Sequence, residues 1–374
     1  MVTCDLILLS WNHLDQTQPC LESLFGTVAT PSRLIIVDNG SAPDVREALA
    51  RVAPRGAVRE VVLLQNDANE GFPRGMNRGL RASTAPFVCL LNNDLSFTPG
   101  WLEELLRVAQ TDGSIGLVNP ASNTFGHPEP SRFSPAVFAQ RMRERQGVVS
   151  EIGMCIGFCL LIKREVLDRV GLLTEDVECI FFEDEDYSMR AQEAGFRCVV
   201  AEGTYVHHAE HATLRPGTDR DALFTRNQQW CDRRWGRRIR VAWPRPTPVM
   251  PGSDELRAWL NRLLAMARRR AHVYVYCPAV GGFTVDALFR SVGLAYHSDI
   301  HWHWIPPILS RWMAVGMILK RRKKPFDIII APDRRWERTF ERVRLGLRAP
   351  VIPETNEEQL TAAWQTASRS PSSS

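Results

Sequence analysis

The sequence predicts an α/β protein with a mostly parallel sheet flanked by helices, followed by a small basic α/β appendage. Short apolar runs alternate with amphipathic stretches of helical length through the first half of the chain, as in sheets whose strands are joined by helices. Charge separates the appendage from this half. Residues 1–231 hold 21 Lys and Arg against 30 Asp and Glu, a net of −9, whereas residues 232–348 hold 24 against 9, a net of +15. The two regions are therefore expected to meet different partners.

Four apolar runs predict the first strands. They lie at residues 6–9, 34–37, 61–64 and 87–91, and they are rich in Val, Ile and Leu at both alternating positions, as expected of strands buried on both faces. Between them, residues 14–25, 44–52 and 71–82 predict helices, which gives the order βαβαβαβ. Farther on, residues 156–162 and 197–201 predict strands, and residues 164–170 and the segment after 182 predict helices.

The chain becomes rich in Pro and Arg after residue 236. We place a first domain at 1–240, a linker at 241–252, a basic α/β region at 253–352 and a tail at 353–374 with a disordered end. Within the basic region, residues 272–277 and 326–331 predict strands, and residues 285–292 predict a helix. Residues 300–319 hold three Trp and run into five Lys and Arg at 320–324, which predicts a buried helix or a segment on an anionic membrane surface.

Overall composition is ordinary for a globular protein, with 44% apolar and 24% charged residues. The nine cysteines include no CxxC pair and lie mostly in apolar runs, which favours reduced thiols. The start of the chain lacks the features of a secretory signal, and no run reaches the ~20 apolar residues that a membrane-spanning helix needs. We therefore expect a cytoplasmic location, with peripheral contact at the inner membrane face as the alternative.

Polar residues follow each of the first four predicted strands. They include Ser10 and Asn12 after the first, Asp38 after the second, Asn66 after the third, and Asn92, Asn93 and Asp94 after the fourth. Because the carboxyl ends of parallel strands share one edge, and ligands bind outside that edge, we expect one crevice. The alternative for any single strand end is an ordinary turn, since Asn, Asp, Gly and Ser are common there.

Asp94 is the candidate ligand for a divalent cation. Mg²⁺ and Mn²⁺ prefer oxygen ligands, and Mg²⁺ is usually held by one or two carboxylates together with substrate phosphates. His207 and His208 end a predicted strand and can offer neutral imidazole to the same ion. Zinc held by His207 and His211 is disfavoured, because no Cys or further His stands at a suitable spacing.

Four consecutive carboxylates follow two phenylalanines: Glu183, Asp184, Glu185 and Asp186. Acidic residues favour the first turn of a helix, where each gains ~0.3–1 kcal/mol from the helix dipole. Like charges beside an apolar run also repel one another, so some of these carboxyl groups should have raised pKa values. A carboxylate in such a setting suits general-base catalysis.

Three motifs of other enzyme classes are absent from the sequence. There is no GxGxxG after the first strand, no GxxxxGK[ST] and no GxSxG. Their absence disfavours a dinucleotide dehydrogenase, a P-loop enzyme and a hydrolase with a nucleophile elbow, respectively.

The motifs that are present resemble, in order, those of glycosyltransferase family 2, the inverting nucleotide-sugar transferases with a GT-A fold. Residues 37–41 read VDNGS, residues 69–79 fit N-x-GF-x-x-G-x-N-x-G, and residues 91–94 read LNND where the family has its DxD-like motif. Residues 157–164 fit G-x-x-x-L-I-x-R, residues 182–190 fit F-ED-x-D-x-x-x-R, and residues 206–208 read VHH. Arg226 and Asn227, with residues 234–236, resemble an RN…KWG ending. The match runs over about residues 3–236 and is closest to rhamnosyltransferase-like members.

The resemblance implies transfer of a sugar from a UDP- or dTDP-linked donor to a hydroxyl of a saccharide or lipid-linked acceptor, in cell-surface polysaccharide synthesis. Asp38 would contact the nucleobase or ribose, Asp184 would take the proton from the acceptor, and Asp94 would bind Mn²⁺ or Mg²⁺ with His207 or, alternatively, His208. Further donor-binding residues would be Ser10, Asn12, Asn69, Gly71, Asn77, Asn92 and Asn93, and supporting residues would be Glu183, Asp186, Arg190 and His208.

Three alternatives stay open. A sugar-phosphate nucleotidyltransferase is expected to carry a Gly- and Arg-rich phosphate loop after the first strand, and residues 10–13 read SWNH instead. A non-catalytic scaffold would bind no nucleotide sugar. The basic region also suggests nucleic-acid binding, which would appear as salt-dependent affinity and which we do not expect.

Overall fold

The computed structural model describes residues 2–125, 134–210, 217–279, 282–321 and 323–369. His211 and Arg322 lie outside these ranges. The chain forms two compact units, Met1–Ser150 with Met154–Trp230, and Glu151–Gly153 with Cys231–Ser374. Within the ranges described, no helix combines the length and the apolar character needed to cross a membrane.

The strands of the first unit form one large sheet and one small one. They are β1 (Cys4–Ser10), β2 (Ser32–Asp38), β3 (Val58–Gln65), β4 (Phe87–Leu91), β5 (Leu95–Ser96), β6 (Ile115–Ala121), β7 (Val149–Glu151), β8 (Cys159–Lys163), β9 (Arg197–Tyr205) and β10 (His207–His208). The large sheet has the order β3-β2-β1-β4-β8-β6-β9-β7, and β10 pairs with β5. The pairs β1–β2, β1–β4, β2–β3 and β6–β9 are parallel. Strand β8 is antiparallel to both of its neighbours, β4 and β6.

Helices cover this sheet, which confirms the predicted α/β fold. They are α1 (Leu14–Thr27), α2 (Pro43–Ala50), α3 (Phe72–Ala82), α4 (Trp101–Thr111), α5 (Pro135–Met142), α6 (Arg164–Val170), α7 (Glu183–Glu193) and α8 (Arg220–Trp235). The predicted order βαβαβαβ matches β1 through β4. Leu6, Ile7 and Leu8 are all buried, as expected of a central strand covered on both faces.

Helix α3 lies unusually close to β1 because of two glycines. A Cβ atom on Gly75 would lie 2.5 Å from Leu9 Cδ1, and one on Gly79 would lie 2.3 Å from Ile7 Cγ2. Any larger residue would push the helix away from the strand. The four-residue spacing of these glycines therefore serves helix–sheet packing, and it holds the loop before α3 at the carboxyl ends of the strands.

The second unit contains a five-stranded parallel sheet of order β13-β12-β11-β14-β15. Its strands are β11 (Ile239–Pro244), β12 (Ala271–Pro278), β13 (Ile300–Ile305), β14 (Ile328–Ala331) and β15 (Val351–Pro353). Its helices are α9 (Asp254–Ala267), α10 (Val285–Ser291), α11 (Ser310–Lys320), α12 (Arg334–Arg342) and α13 (Glu357–Arg369). Apolar cores lie on both faces of this sheet.

Of these elements the sequence predicted β12, β14 and α10, and its prediction of a buried helix over residues 300–319 covers most of α11. Strands β11 and β13 were missed because their Arg, His, Trp and Pro residues hide the apolar pattern. The division between the units falls at Trp230, before the boundary expected near residue 240. The expected linker at 241–252 begins inside β11, and much of the expected tail at 353–374 is the helix α13.

Residues 300–319 are not one segment. The first part is strand β13, a short 3₁₀ turn follows at Pro307–Leu309, and the second part is helix α11. Trp302 packs against the core, with its ring centroid 5.5 Å from that of Trp259, whereas Trp312 is 48% exposed. The prediction of a buried helix over residues 300–319 is therefore wrong for residues 300–305, which form β13.

Candidate active site

The polar residues predicted at the strand ends do share one edge of the sheet. Ser10 and Asp38 are register partners at the ends of β1 and β2. The Ser10 hydroxyl lies 3.2 Å from that of Thr17 in α1. Asn12 has a left-handed backbone (φ 53°), and its side-chain oxygen accepts a hydrogen bond of 2.9 Å from Ala42 N–H. These contacts join the loop after β1 to the loop after β2.

Asp38 is buried, and only one of its carboxylate oxygens is hydrogen-bonded. Oδ1 accepts from Ser41 N–H at 3.0 Å, while Oδ2 lies 3.5 Å from Arg46 Nε without a hydrogen bond from the described part of the chain. A buried carboxylate oxygen in this state has capacity to accept from a ligand hydroxyl or N–H group.

Asn39, which the sequence analysis did not select, organises the adjoining loop. Its side-chain nitrogen donates to Asn69 Oδ1 at 3.0 Å and to Gly71 O at 3.2 Å. Its oxygen accepts from Asn66 Nδ2 at 2.8 Å and Glu70 N at 3.1 Å. Asn39 lies inside the VDNGS motif, but its partners are about thirty residues away in sequence, so the motif gave no sign of this role. Asn69 itself accepts from Gly71 N–H, so it shapes the loop.

Gly71 and Asn77 act on the same loop in different ways. Gly71 has a φ of +85°, and a Cβ there would lie 2.9 Å from Cys179 Cα, so no larger residue fits. Asn77 is buried, and its amide donates to Leu173 O and Glu175 Oε1 and accepts from Leu173 N–H. Both N–H groups of Asn77 are used within the protein. This geometry argues against the predicted donor contact by Asn77 and gives it a positioning role.

Asn92, Asn93 and Asp94 follow β4 as predicted, and they meet His208. Asp94 Oδ1 lies 3.3 Å from His208 Nε2, and Asn92 Nδ2 also lies 3.3 Å from that nitrogen. Asn93 donates to Thr17 Oγ1 at 2.8 Å, so its amide faces α1. The structure therefore brings together one carboxylate and one imidazole at this strand end.

His208 lies beside Asp94, and His207 is its neighbour in β10. Successive side chains of a strand point to opposite faces, so the two imidazoles diverge. The His208 ring stacks on Phe158 with centroids 5.1 Å apart, and its Nδ1 lies 3.0 Å from Thr124 Oγ1. Phe158 and Thr124 were not selected from the sequence, because neither belongs to a polar motif.

Asp94 and His208 are the candidate ligands for a divalent cation at this strand end. In the ranges described, no group of three or more His, Cys, Asp and Glu side chains is arranged to hold a metal ion. Asp94 and His208 nevertheless supply one oxygen and one nitrogen, and Mg²⁺ sites are often completed by substrate phosphates and water. The residues present fit a cation that binds together with a phosphate-bearing ligand.

Asp184 lies in the first turn of helix α7, where its surroundings raise its pKa. Burial is the main cause that raises its pKa to about 6; the Gly157 N–H opposes this shift, and the Glu185 charge adds to it. Oδ2 accepts from Gly157 N–H at 3.3 Å and Oδ1 from Glu185 N–H at 2.8 Å. Such a carboxylate is ionised at neutral pH but binds a proton readily.

The residues around Asp184 divide into two groups. Glu183 is buried, its Oε2 has no hydrogen bond in the described chain, and burial followed by the Asp184 charge raises its pKa well above the usual range. Asp186 instead pairs with Arg190 at 2.8 Å, and Arg190 also donates to Val170 O and Leu172 O. The second pair fixes α7 to the loop after α6, which is a structural role.

The backbone before α7 is unusual. Cys179, Phe181 and Phe182 have φ values of 66°, 80° and 74°, in the left-handed region that residues with a Cβ rarely adopt. Such conformations are costly and cluster at functional sites. Here they turn the chain directly into the first residues of α7, where Asp184 lies.

Gly157 and Phe158 connect the two acidic positions. Gly157 donates to Asp184, while Phe158, the next residue, stacks on His208 and accepts from Asn92 N–H through its carbonyl at 2.8 Å. A Cβ on Gly157 would lie 3.0 Å from the Phe72 ring, so this segment also lies close to the first residue of α3. The strand ends, the candidate base and the candidate metal ligands therefore form one site.

Several known proteins are similar to part of this chain. The family model described as glycosyl transferase family 2 matches residues 5–171. The protein y4gI of Sinorhizobium fredii is 27% identical over 254 residues, which are 62% of this chain and 27% of that protein. The pre-mycofactocin glycosyltransferase of Mycobacterium tuberculosis is 28% identical over 197 residues, which are 51% of this chain and 40% of that protein. The chain thus spans less than half the length of these two relatives.

Two solved structures are similar to part of this chain. The mannosyltransferase PcManGT of Pyrobaculum calidifontis, in complex with GDP-Man and Mn²⁺, has a TM-score of 0.43 at 17% identity, covering 62% of this chain and 60% of that one. The S. aureus protein TarS, residues 1–349, in complex with UDP-GlcNAc, has a TM-score of 0.44 at 15% identity, covering 62% and 66%.

The family predicted from the sequence motifs is the one whose model matches, whereas the rhamnosyltransferase-like branch stays a prediction. Over residues 5–171, this chain carries a domain of glycosyltransferase family 2.

Proposed function

We propose that the crevice of the first unit binds a nucleoside-diphosphate sugar, and that the protein transfers the sugar with inversion to a hydroxyl of a saccharide or lipid-linked acceptor. One observation supports this most strongly. The Gly157–Phe158 segment contacts a carboxyl group with a pKa near neutrality on one side, at Asp184, and the Asp94–His208 pair on the other. A displacement at the anomeric carbon needs a base for the incoming hydroxyl on one side. It also needs a cation site for the leaving diphosphate on the other side.

The nucleoside is assigned to the loops after β1 and β2. Asp38 Oδ2 accepts no hydrogen bond from the residues that the structure describes, and the Asn12 and Ser10 side chains lie on the same edge of the sheet. A ribose hydroxyl or a base N–H group would complete the hydrogen bonding of Asp38. The donor class is a UDP- or dTDP-sugar, and the product belongs to cell-surface polysaccharide, as the motif resemblance implies.

Asp94 and His208 are the residues that would hold Mn²⁺ or Mg²⁺. When bound, such an ion supplies Lewis-acid stabilisation to the charge that collects on the leaving diphosphate. The neighbouring Asn92 amide lies within reach of His208 and restrains its ring. His207 remains the alternative ligand, and the contacts of His208 with Phe158 and Thr124 support the choice of His208.

Asp184 is the proposed general base. The acceptor oxygen forms a bond to the anomeric carbon as the bond to the diphosphate breaks, and the acceptor proton passes to the Asp184 carboxylate. Two backbone N–H groups orient that carboxylate. Burial and the Asp184 charge raise the pKa of Glu183 well above its usual range, which disfavours a second negative charge beside the base. A single displacement inverts the anomeric configuration.

The test of this function is a panel of UDP-, dTDP- and GDP-sugars incubated with the purified protein and Mn²⁺. We expect release of the nucleoside diphosphate from one donor class, faster when an acceptor saccharide is added. No binding to any donor in the panel would instead favour the non-catalytic scaffold.

We also propose peripheral contact of the second unit with an anionic membrane. Ile308 is 94% exposed, and Trp312 and Met313 of α11 are also exposed. Met313 and Lys320 are seven residues apart, two helical turns, so they lie along the same side of α11. Lys323 and Lys324 are exposed beyond the helix end. Apolar side chains beside cations suit an anionic lipid surface.

Liposome flotation tests this contact. Wild type should float with anionic vesicles at low salt, and a variant with Lys320, Lys323 and Lys324 changed to Gln should remain at the bottom. Equal flotation of the two proteins would contradict the proposal.

A further inference from the structure

The second unit contains a surface cavity of about 350 Å³. It is bounded by the end of α11, the segment leading into β14 and the loop before β15. Its walls include Ile318, Phe326, Ile329, Leu345 and Leu347, together with the side chain of Arg321. No carboxylate is among the lining residues. Its volume lies in the range of small-molecule sites, and its lining combines apolar side chains with polar surface that includes two arginines, Arg321 and Arg348.

Arg321 is the polar group that defines the chemistry of this cavity. Its guanidinium carbon lies 3.9 Å from the ring centroid of Tyr274 and 5.4 Å from that of Phe326. No carboxylate in the part of the chain that the structure describes forms an ion pair with it. The two rings hold the guanidinium in place, so an anion could bind it without first displacing a protein partner.

The charged residues near Arg321 are also positively charged. Arg348 also lines the cavity, and Lys323 and Lys324 are exposed two and three positions beyond Arg321. A phosphate group forms strong, charge-assisted hydrogen bonds with arginine, and nearby lysines strengthen its attraction.

Part of the apolar wall of the cavity is exposed to solvent. Leu345 is fully exposed, and Leu319 and Leu347 are half-buried. Adjacent apolar surface that faces water is stabilised when an apolar ligand covers it. The occupant should therefore combine an apolar chain with an anionic head.

We propose that this cavity binds an amphiphile with a phosphate head and a single apolar chain, with the phosphate at Arg321 and the chain along Ile318, Phe326 and Leu347. A free single-chain phosphate lipid and one chain of a bilayer phospholipid share this chemistry. The site does not depend on the transferase activity, and binding of a monomeric amphiphile can be measured apart from vesicle flotation.

Titration calorimetry with dodecyl phosphate, kept below its micelle-forming concentration, tests the proposal on the full-length protein. We expect one binding site, at least tenfold weaker binding in Arg321→Gln, and retained binding in Arg321→Lys. Ala349→Phe should weaken binding by filling the cavity, with circular dichroism to verify its fold. The matched control is Arg257→Gln, an exposed arginine of α9, which should bind as wild type does.

Two further ligands measure the contributions of the phosphate head and the apolar chain separately. Inorganic phosphate and dodecyl maltoside should each bind at least tenfold more weakly than dodecyl phosphate. Flotation with phosphatidic-acid vesicles then distinguishes the sources: a loss in Arg321→Gln indicates the bilayer lipid, and no loss indicates a free lipid. Equal dodecyl phosphate affinity in wild type and Arg321→Gln, or equal affinity for dodecyl maltoside, would overturn the proposal.

Discussion

The two units share a parallel-sheet design but differ in what their strand ends present. Strands β1, β2 and β4 of the first unit lead into Ser10, Asp38 and Asn92, polar residues with hydrogen-bonding capacity at one edge. Each of the five strands of the second unit instead ends at, or directly before, a proline: Pro244, Pro278, Pro306, Pro332 and Pro353. Proline has no N–H to offer a ligand.

The carboxylate that follows β15, Glu354, is also already paired. Glu354 accepts from Trp243 Nε1 at 3.2 Å and from Arg262 at 2.7 Å. The comparison teaches that sheet topology marks where a site can form, while the residues at the strand ends decide whether one does.

The largest expected effect is a loss of turnover from a substitution in the first unit, with no such loss from the matched substitution in the second. Asp184→Asn should lower turnover at least about 100-fold with donor affinity almost unchanged, because an amide cannot take the acceptor proton. The matched change in the second unit is Asp333→Asn, which keeps the helix cap of α12 and should leave turnover at the wild-type level. Steady-state kinetics of both variants measure this difference. Turnover above about a tenth of wild type in Asp184→Asn would exclude the base role.

Metal dependence should come second in size. Activity should vanish in excess chelator and return with Mn²⁺ or Mg²⁺, and Asp94→Ala should not be rescued, because Asp94 is the one carboxylate at its strand end. Full activity of the wild type in chelator would contradict the metal assignment.

The two histidines sharpen the same measurement. His208→Ala should need roughly tenfold more metal for half-maximal activity, as losses near a metal commonly cost 10–100-fold in affinity, whereas His207→Ala should change it little. The reverse order would assign the ligand to His207.

A smaller, selective effect is expected at the nucleoside end. Asp38→Ala should raise KM for the donor by about tenfold and lower kcat less, because contacts far from the breaking bond act equally on ground state and transition state. Donor titrations at saturating acceptor measure the two constants. An unchanged KM would place Asp38 outside the site.

The smallest expected effect is on stability alone. Asp333 accepts hydrogen bonds from Arg335 N–H and Trp336 N–H at the start of α12, so Asp333→Ala should cost about 0.5–2 kcal/mol of unfolding free energy. Denaturant unfolding and kinetics of the same variant test this. Lost turnover without lost stability would show that the strand ends of the second unit also serve the reaction.

Sequence could predict the part of the site that is local. Asp38, Asp94 and Asp184 each follow an apolar run, so strand pattern and motif together were enough to propose them as candidates. The choice of His208 over His207 depends on Phe158 and Thr124, which are distant in sequence and belong to no polar pattern. The internal hydrogen bonds of Asn77 were hidden for the same reason, because Leu173 and Glu175 reach it only in the folded chain.

The fold divides in a similar way. Strands β1 to β4 are apolar on both faces and were visible, whereas β13, with alternating His and Trp, was not. His301 and His303 lie on the same side of that strand as each other and pack on Tyr274, so aromatic stacking replaces the aliphatic pattern that sequence analysis relies on.

The pH dependence of kcat/KM tests the central claim most directly, namely that a buried Asp184 is the base. Burial raises the pKa of Asp184 to about 6, and only its ionised form accepts the proton, so activity should be present above that pH and lost as pH falls through it. We expect a profile that declines tenfold per pH unit below about pH 6 at saturating metal, with no such limb in the residual activity of Asp184→Asn. A wild-type profile that stays flat down to pH 5, or the same limb in Asp184→Asn, would contradict it.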